Sequence, residues 1–229
     1  MRNVQPVPFE GEIMNTDEKK PFWDRSWESI SPERMSAYVT GFDMSKDAII
    51  SFLLKRHVKK ICDAGCGCGI YSLKLLQYDF SVSGFDIAED AVSLTKALLL
   101  ENGYPSETFK KASVLSTGYA DRCFDAVVAR DLIDHIPIRQ GMEAVNELLR
   151  IVRPGGCVLL TLDMSDGEYE SEPHETNDDG DYLFHRGKWD GMVFHPYSIH
   201  GIDKLANGNT YKILPSDDPG FIVVLEARE

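Results

Sequence analysis

The feature that most limits what this chain can fold into is an alternation of short apolar runs and helix-periodic segments between residues 58 and 164. "VKKICDAG" reads as a strand, "IYSLKLLQYD" from about Gly69 as a helix, "FSVSGFDI" as a strand, and "AEDAVSLTKALLLENG" as a helix closed by Gly103. A weaker strand, "TFKKASV", comes next, then the apolar strand "FDAVVARD". The helix "RQGMEAVNELLRIVRPGG", stopped by Pro154 and two glycines, leads to the strand "GCVLLTLDM". Successive strands can lie parallel only if the chain crosses back over the sheet, and a helix is the usual crossover. The pattern therefore predicts an α/β fold with a doubly wound, mostly parallel sheet covered by helices on both faces.

The flanks extend this frame. "SPERMSAYVTGF" predicts a short helix opened by Ser31 and Pro32, and "SKDAIISFLLKRH" a second one capped by Ser45. After Asp163 the stretch "SDGEYESEPHETNDDGDY" is strongly acidic and poor in aliphatic residues, which predicts a loop or mobile flap. "DYLFHRGKWDGMVFHPYS" reads as two extended pieces around a glycine-rich turn, and "SIHGIDKLAN" as a helix closed near Asn207 and Gly208. "TYKILPSDDPGFIVVLEARE" predicts a C-terminal antiparallel hairpin at the end of the sheet. A chain of 229 residues suits one sizeable core.

Composition narrows the partners. A net charge of −13 argues against nucleic acid, because phosphate neutralisation needs clustered Lys and Arg. The one local basic run, Lys55 to Lys60, sits where a helix ends and reads as its C-terminal charge set. No apolar run of about 18 residues points to a membrane, and the start has no apolar core of a signal peptide, so the expected location is cytoplasmic. Five cysteines, an odd number, do not form a secreted disulfide framework.

The chemistry concentrates in "DAGCGCG", Asp63 to Gly69, between the first strand and the helix after it. Glycines here allow positive φ and close approach of a ligand to the backbone, at the sheet edge where open α/β folds bind ligands. The dinucleotide fingerprint G-x-G-x-x-G fails in both registers, at Ile70 and at Ser72. The pattern that fits is D-x-G-x-G-x-G. Cys66 and Cys68 fill variable positions of the turn, and no second cysteine pair completes a zinc set, so packing is the expected role of the thiols. A reactive Cys68 at the helix mouth is the other reading.

Together with the acid Asp86 ending "VSGFD", the segment "CFDAVVARDLIDHIP" and the approach "LLRIVRPGGCVLLT", this turn resembles the class I S-adenosylmethionine-dependent methyltransferases over about residues 45–164. The resemblance implies a seven-stranded sheet, S-adenosylmethionine as cofactor with S-adenosylhomocysteine as product, and a small-molecule acceptor. It assigns residues 1–44 to an N-terminal lid segment and 45–229 to the methyltransferase domain, with an acceptor-side insertion at about 164–197. It also implies that Asp86 accepts hydrogen bonds from the ribose hydroxyls and Ile87 packs on the adenine. Asp63, Gly65 and Gly67 then lie near the methionine portion. Ser113 stands where the family commonly has an Asp for the adenine amino group, beside the backbone of Val114.

Arg130, Asp131, Asp134 and His135 follow the fourth strand, where the methyl-transfer pocket lies in similar proteins. Arg130 is a candidate on both the cofactor and the acceptor side, with a salt bridge to Asp131 or Asp134 as its plainer role. His135 has the pKa of a general base, and packing is its alternative. Trp23 and Trp27 of the lid, and His195 and Tyr197 of the insertion, are candidate acceptor contacts or plain packing residues. His174, Glu175, Asp178 and His185 are expected to be solvated, so no metal is expected. A protein or nucleic-acid methyltransferase, lacking here an "NPPY"-type motif, and a non-catalytic cofactor-binding protein are the rival readings.

Overall fold

The computed structural model describes residues 20–28, 30, 35, 47–165, 167–216 and 219–228. Strands β1 (Lys60–Ala64), β2 (Ser81–Asp86), β3 (Phe109–Lys111), β4 (Phe124–Ala129) and β5 (Val152–Leu162) run parallel. With β9 (Tyr211–Leu214) and β10 (Phe221–Glu226) they make a seven-stranded sheet of order β3-β2-β1-β4-β5-β10-β9. The expected hairpin is present, but its second strand is the inner one: β10 lies antiparallel against β5, with Val223 opposite Leu160, and β9 forms the edge.

Side chains alternate across each strand, so the sheet feeds two cores. Val127, Ala129, Val158 and Leu160 face helices α5 (Ile138–Ile151) and α7 (Ile199–Ala206) through Val145, Leu148 and Leu205. Ala126, Val128, Cys157 and Leu159 face the other way, onto α2 (Ala48–Lys55), α3 (Ile70–Gln77) and α4 (Glu89–Glu101) through Leu53, Leu73 and Leu99. The doubly wound arrangement follows from strands that are apolar on both faces.

Two helix limits differ from the sequence expectation. Asp47 caps α2, its carboxylate accepting from the Ile50 amide at 2.9 Å; Ser45 lies outside the described residues. So does the expected helix 31–42, apart from Met35, which is helical and buried. Helix α5 ends at Ile151, before Pro154, because Val152 is already extended and opens β5. Proline disfavours a helical residue before it, so the chain turns into the strand ahead of the ring. Helix α7 ends as expected, with Asn207 left-handed at φ 47°.

The acidic run after β5 is not a bare loop. It holds the short helix α6 (Gly167–Ser171) and strand β6 (Glu175–Thr176), which pairs with β7 (Tyr182–Leu183), itself paired with β8 (Val193–Phe194). Tyr169 anchors it, stacking on Phe194 at 4.0 Å. With Phe184, Trp189 and Met192 these rings form a third, smaller core, closed by Phe22 of helix α1 (Phe22–Glu28). One well-placed aromatic offsets the polarity of its neighbours. The basic run also has an internal use: Arg56 binds the Glu226 carboxylate at 2.6 and 2.8 Å and the Gly155 carbonyl at 2.9 Å. Among the described residues no helix is long and apolar enough to cross a membrane.

Candidate functional site

At the carboxyl end of β1 the chain turns through Gly65, Gly67 and Gly69 at φ 72°, 53° and 84°, all left-handed. The amides of Gly65 and Cys66 both donate to the Phe85 carbonyl, at 2.9 and 3.0 Å, which stitches the turn to β2. Asp86, ending β2, accepts from the Gly67 amide through one carboxylate oxygen and from the Ala88 amide through the other, each at 2.9 Å. Burial to 8% exposure pushes its pKa up, against the pull of those amides. The next side chain, Ile87, is 55% exposed, an apolar surface beside a carboxylate.

Asp63 is buried at the end of β1 and accepts a hydrogen bond from the Ser72 hydroxyl, which ties the strand to α3. Burial pushes its pKa up to about 6, with Ser72 and the nearby Arg130 opposing. The Arg130 guanidinium lies 4.5 Å over the Tyr71 ring, so β1, α3 and β4 bring an acid, a phenol and a cation together. Ser113 accepts from the Leu115 amide at 3.2 Å in the turn after β3, and the Val114 side chain is buried in the core. Cys66 is buried, and burial pushes the half-buried Cys68 up to about 11 although the Ile70 and Cys68 amides oppose it. Burial thus disfavours the thiolate at both positions, which weighs against a reactive Cys68.

Beyond β4, Asp131 takes a left-handed backbone at φ 50°. Its amide donates to the Thr161 hydroxyl at 2.8 Å, and that hydroxyl donates to its carboxylate at 2.7 Å, locking it to β5. A turn of 3-10 helix, Ile133–His135, follows. Asp134 is fully buried and accepts from the Asp163 amide at 3.3 Å; burial and Asp131 push its pKa up to about 8. His135 is bonded to the Val193 carbonyl, and burial lowers its pKa against the attraction of Asp131 and Asp163. Trp23, Phe194 and Tyr169 surround its ring at 5.0, 5.9 and 6.4 Å.

Helix α1 spans both regions. Trp23 and Trp27 are four residues apart and so share a face. Trp23 meets His135 edge-on, while the Trp27 indole lies 3.0 Å from where a Cβ on Gly67 would stand. Arg25 donates to the Asp190 carbonyl of the insertion. Helix α1 thus covers His135 through Trp23 and Gly67 through Trp27, with Asp86 bonded to the Gly67 amide. His195 and Tyr197 are directed elsewhere. The His195 Nδ1 bonds Asp181 at 2.8 Å, and Tyr197 is buried with its hydroxyl 3.4 Å from the Cβ position of Gly141 on α5. Tyr169 and Phe194 take the places beside His135, and only the isolation of Tyr169 among acidic residues hinted at an anchor. His174 stacks on Tyr182 at 4.2 Å, and His185 lies 3.6 Å from Glu175. Among the described residues no three His, Cys, Asp or Glu side chains gather as a metal site.

A sheet of this order, with a glycine turn after its first strand and an acid ending its second, defines a Rossmann-like nucleoside-binding fold. Residues 61–156 match the family model described as a methyltransferase domain. That match, the relatives and the solved structures below support a class I S-adenosylmethionine-dependent methyltransferase. Ubiquinone biosynthesis O-methyltransferases are among its relatives. That of Dechloromonas aromatica is 31% identical over 106 residues, 45% of this chain and 44% of the relative. That of Klebsiella pneumoniae is 26% identical over 186 residues, 75% of this chain and 76% of the relative. The chain spans about half the length of several such relatives, 44% in Stutzerimonas stutzeri, where identity is 29% over 103 residues, 45% of this chain.

Among solved structures, a methyltransferase of Methanosarcina mazei matches with TM-score 0.64 and 22% identity, over 79% of this chain and 98% of that one. Magnesium protoporphyrin IX methyltransferase of Synechocystis, with bound S-adenosylhomocysteine, matches with TM-score 0.60 and 17% identity, over 86% and 88%. These likenesses define the fold.

Proposed function

We propose that this chain transfers a methyl group from S-adenosylmethionine to a small-molecule acceptor. The observation that carries the reading is the placement of the glycine turn, Asp86 and His135 beneath α1. Each Asp86 oxygen accepts one backbone amide, and a carboxylate oxygen has capacity for a second donor, which fits a pair of ribose hydroxyls. Ile87 offers an apolar face to adenine, and Ser113 and the Val114 backbone follow β3, the strand paired beside β2. Gly65 and Gly67 admit the methionine portion, next to Asp63 and Arg130.

The cofactor supplies an activated methyl on sulfur, so the protein's contribution is proximity, orientation and exclusion of water. Trp23, Tyr169 and Phe194 wall the acceptor side, and α1 acts as the lid of the site. His135, neutral through its lowered pKa, is available to take a proton when the acceptor must lose one. Asp131 and Asp134 set the turn that presents it. The named relatives and the charge of −13 both favour a small molecule over nucleic acid.

Thermal unfolding tests the reading. S-adenosylhomocysteine at 100 times its Kd should add about 2.7 kcal/mol, or roughly 5–10 °C for a chain of this size. NADH should add nothing, and Asp86→Ala should abolish the shift. A shift with NADH alone, or one that survives Asp86→Ala, refutes the assignment. Binding without turnover across an acceptor panel would instead favour a non-catalytic cofactor-binding protein.

A further inference from the structure

The insertion contains a buried acid–imidazole pair that methyl transfer itself does not explain. Asp181 and His195 are both buried, at 1% and 6% exposure, with the His195 Nδ1 donating to an Asp181 oxygen at 2.8 Å. Burying a carboxylate is costly unless its oxygens are occupied, and here they are. The same oxygen accepts the Ile138 amide at 3.1 Å, and the other accepts the Asn177 side-chain amide at 2.8 Å. Asn177 cannot turn round, because its own oxygen accepts the amides of Asp179 and Asp181, at 3.0 and 2.9 Å.

What this pair touches is the turn that carries His135. The His195 amide donates to the Asp134 carbonyl at 2.7 Å, one residue before His135. Asp181 holds the Ile138 amide, three residues after it, in the first turn of α5, where the N-cap position is Pro137 with no capping side chain. The His135 ring itself is bonded to the Val193 carbonyl, two residues from His195. The outer ion pairs Arg139–Asp179 and Lys204–Asp179 join the same segment to α5 and α7 but are largely solvated, so their contribution is small.

We infer that Asp181 and His195 are a positioning pair for His135: bonded to each other, they clamp the backbone on both sides of it and fix the strand that holds its ring. The inference rests on the reading that His135 stands on the methyl-transfer side. Asp181→Asn is the sharp perturbation. Whichever way the new amide turns, its NH2 meets a fixed donor, either Asn177 or the Ile138 amide, so the clamp opens without loss of volume.

The test is nitrogen-15 spectroscopy of the histidine-labelled full chain, with the His135 signals identified by their loss in His135→Gln. The groups facing His135 are Asp131 and Asp163 with the rings of Trp23, Tyr169 and Phe194; those facing His195 are Asp181, Asp179, Lys204 and the Tyr197 phenol. In the native protein the His135 ring N–H should be protected from exchange, and its titration midpoint should lie below the ordinary 6.5. In Asp181→Asn the protected signal should vanish and the titration midpoint should rise toward 6.5.

Leu53→Ala, in the core on the opposite face of the sheet, should lower the melting temperature and leave the His135 signals unchanged. Unchanged His135 signals in Asp181→Asn overturn the inference, whatever its melting temperature. If that variant does not fold, His195→Ala and His195→Asn replace it, since Asn keeps a donor near the Nδ1 position. Restoration of the His135 signals by Asn but not Ala supports the pair, and equal spectra overturn it. The S-adenosylhomocysteine melting shift is read separately on the native chain; its absence refutes the cofactor reading and leaves the histidine result standing.

Discussion

Two alanine substitutions in one turn separate what its glycines do. Gly67 and Gly69 both have left-handed backbones, at φ 53° and 84°. Alanine at either therefore meets a similar conformational cost of about 1–2 kcal/mol. The surroundings differ. A Cβ on Gly67 meets the rim of the Trp27 indole at 3.0 and 3.1 Å, on a seven-residue surface helix that can shift. A Cβ on Gly69 comes within 2.9 Å of the Thr95 Cα, Cγ2 and Oγ1, on the 13-residue helix α4. Moving Thr95 also breaks its 2.8 Å bond to the Gly67 carbonyl, which holds the turn in shape.

Overpacking of this kind costs about 1–3 kcal/mol, and the hydroxyl bond about 1 kcal/mol more. Gly69→Ala should then be less stable than Gly67→Ala by roughly 3 kcal/mol, a difference of about 6–12 °C in melting temperature for a chain of this length. Calorimetry or circular dichroism at one pH and protein concentration reads it directly. Equal melting temperatures, or a lower one for Gly67→Ala, would refute the reasoning, because the backbone term is shared and only the packing term distinguishes the two.

Two further outcomes follow from buried titratable groups. Asp134 has a folded pKa near 8 against an ordinary value of 3.8, so the native state holds its proton between those values. Stability should fall as pH rises through that window and level off above it. Asp134→Asn lacks this dependence, so its melting temperature should gain on that of the native chain from pH 5 to pH 9, and parallel curves would count against a raised Asp134. Cys68, held near pKa 11, should react with alkylating agents at pH 8 about a hundredfold more slowly than a free cysteine, from its thiolate fraction alone. Modification at the free-thiol rate in the folded protein would show the thiol is activated after all.

Much of this architecture is written locally. The glycine turn requires positive φ and contains glycine; α7 opens on the Ser198 side chain, which accepts from the Gly201 amide at 3.2 Å, and closes on a left-handed Asn207. Strand and helix periods predict the doubly wound sheet, and the motif order predicts Asp86 beside the turn. Such signals lie within a few residues of what they control, so they survive without tertiary context.

Contacts between distant segments are a different matter. Nothing near Trp23 and Trp27 says that one meets His135 and the other Gly67, and nothing near Asp181 says that it bonds His195 and the head of α5. His195 and Tyr197 have the composition of acceptor contacts, yet packing of the insertion turns one to an acid and the other into the core. By itself, then, the sequence determined the fold through backbone conformation, capping and period, and the resemblance carried by its motifs pointed to the glycine turn as the cofactor side. Tertiary structure decided which side chains surround His135 and which merely hold them there, because burial and hydrogen-bond satisfaction are settled only when remote elements compete for the same space.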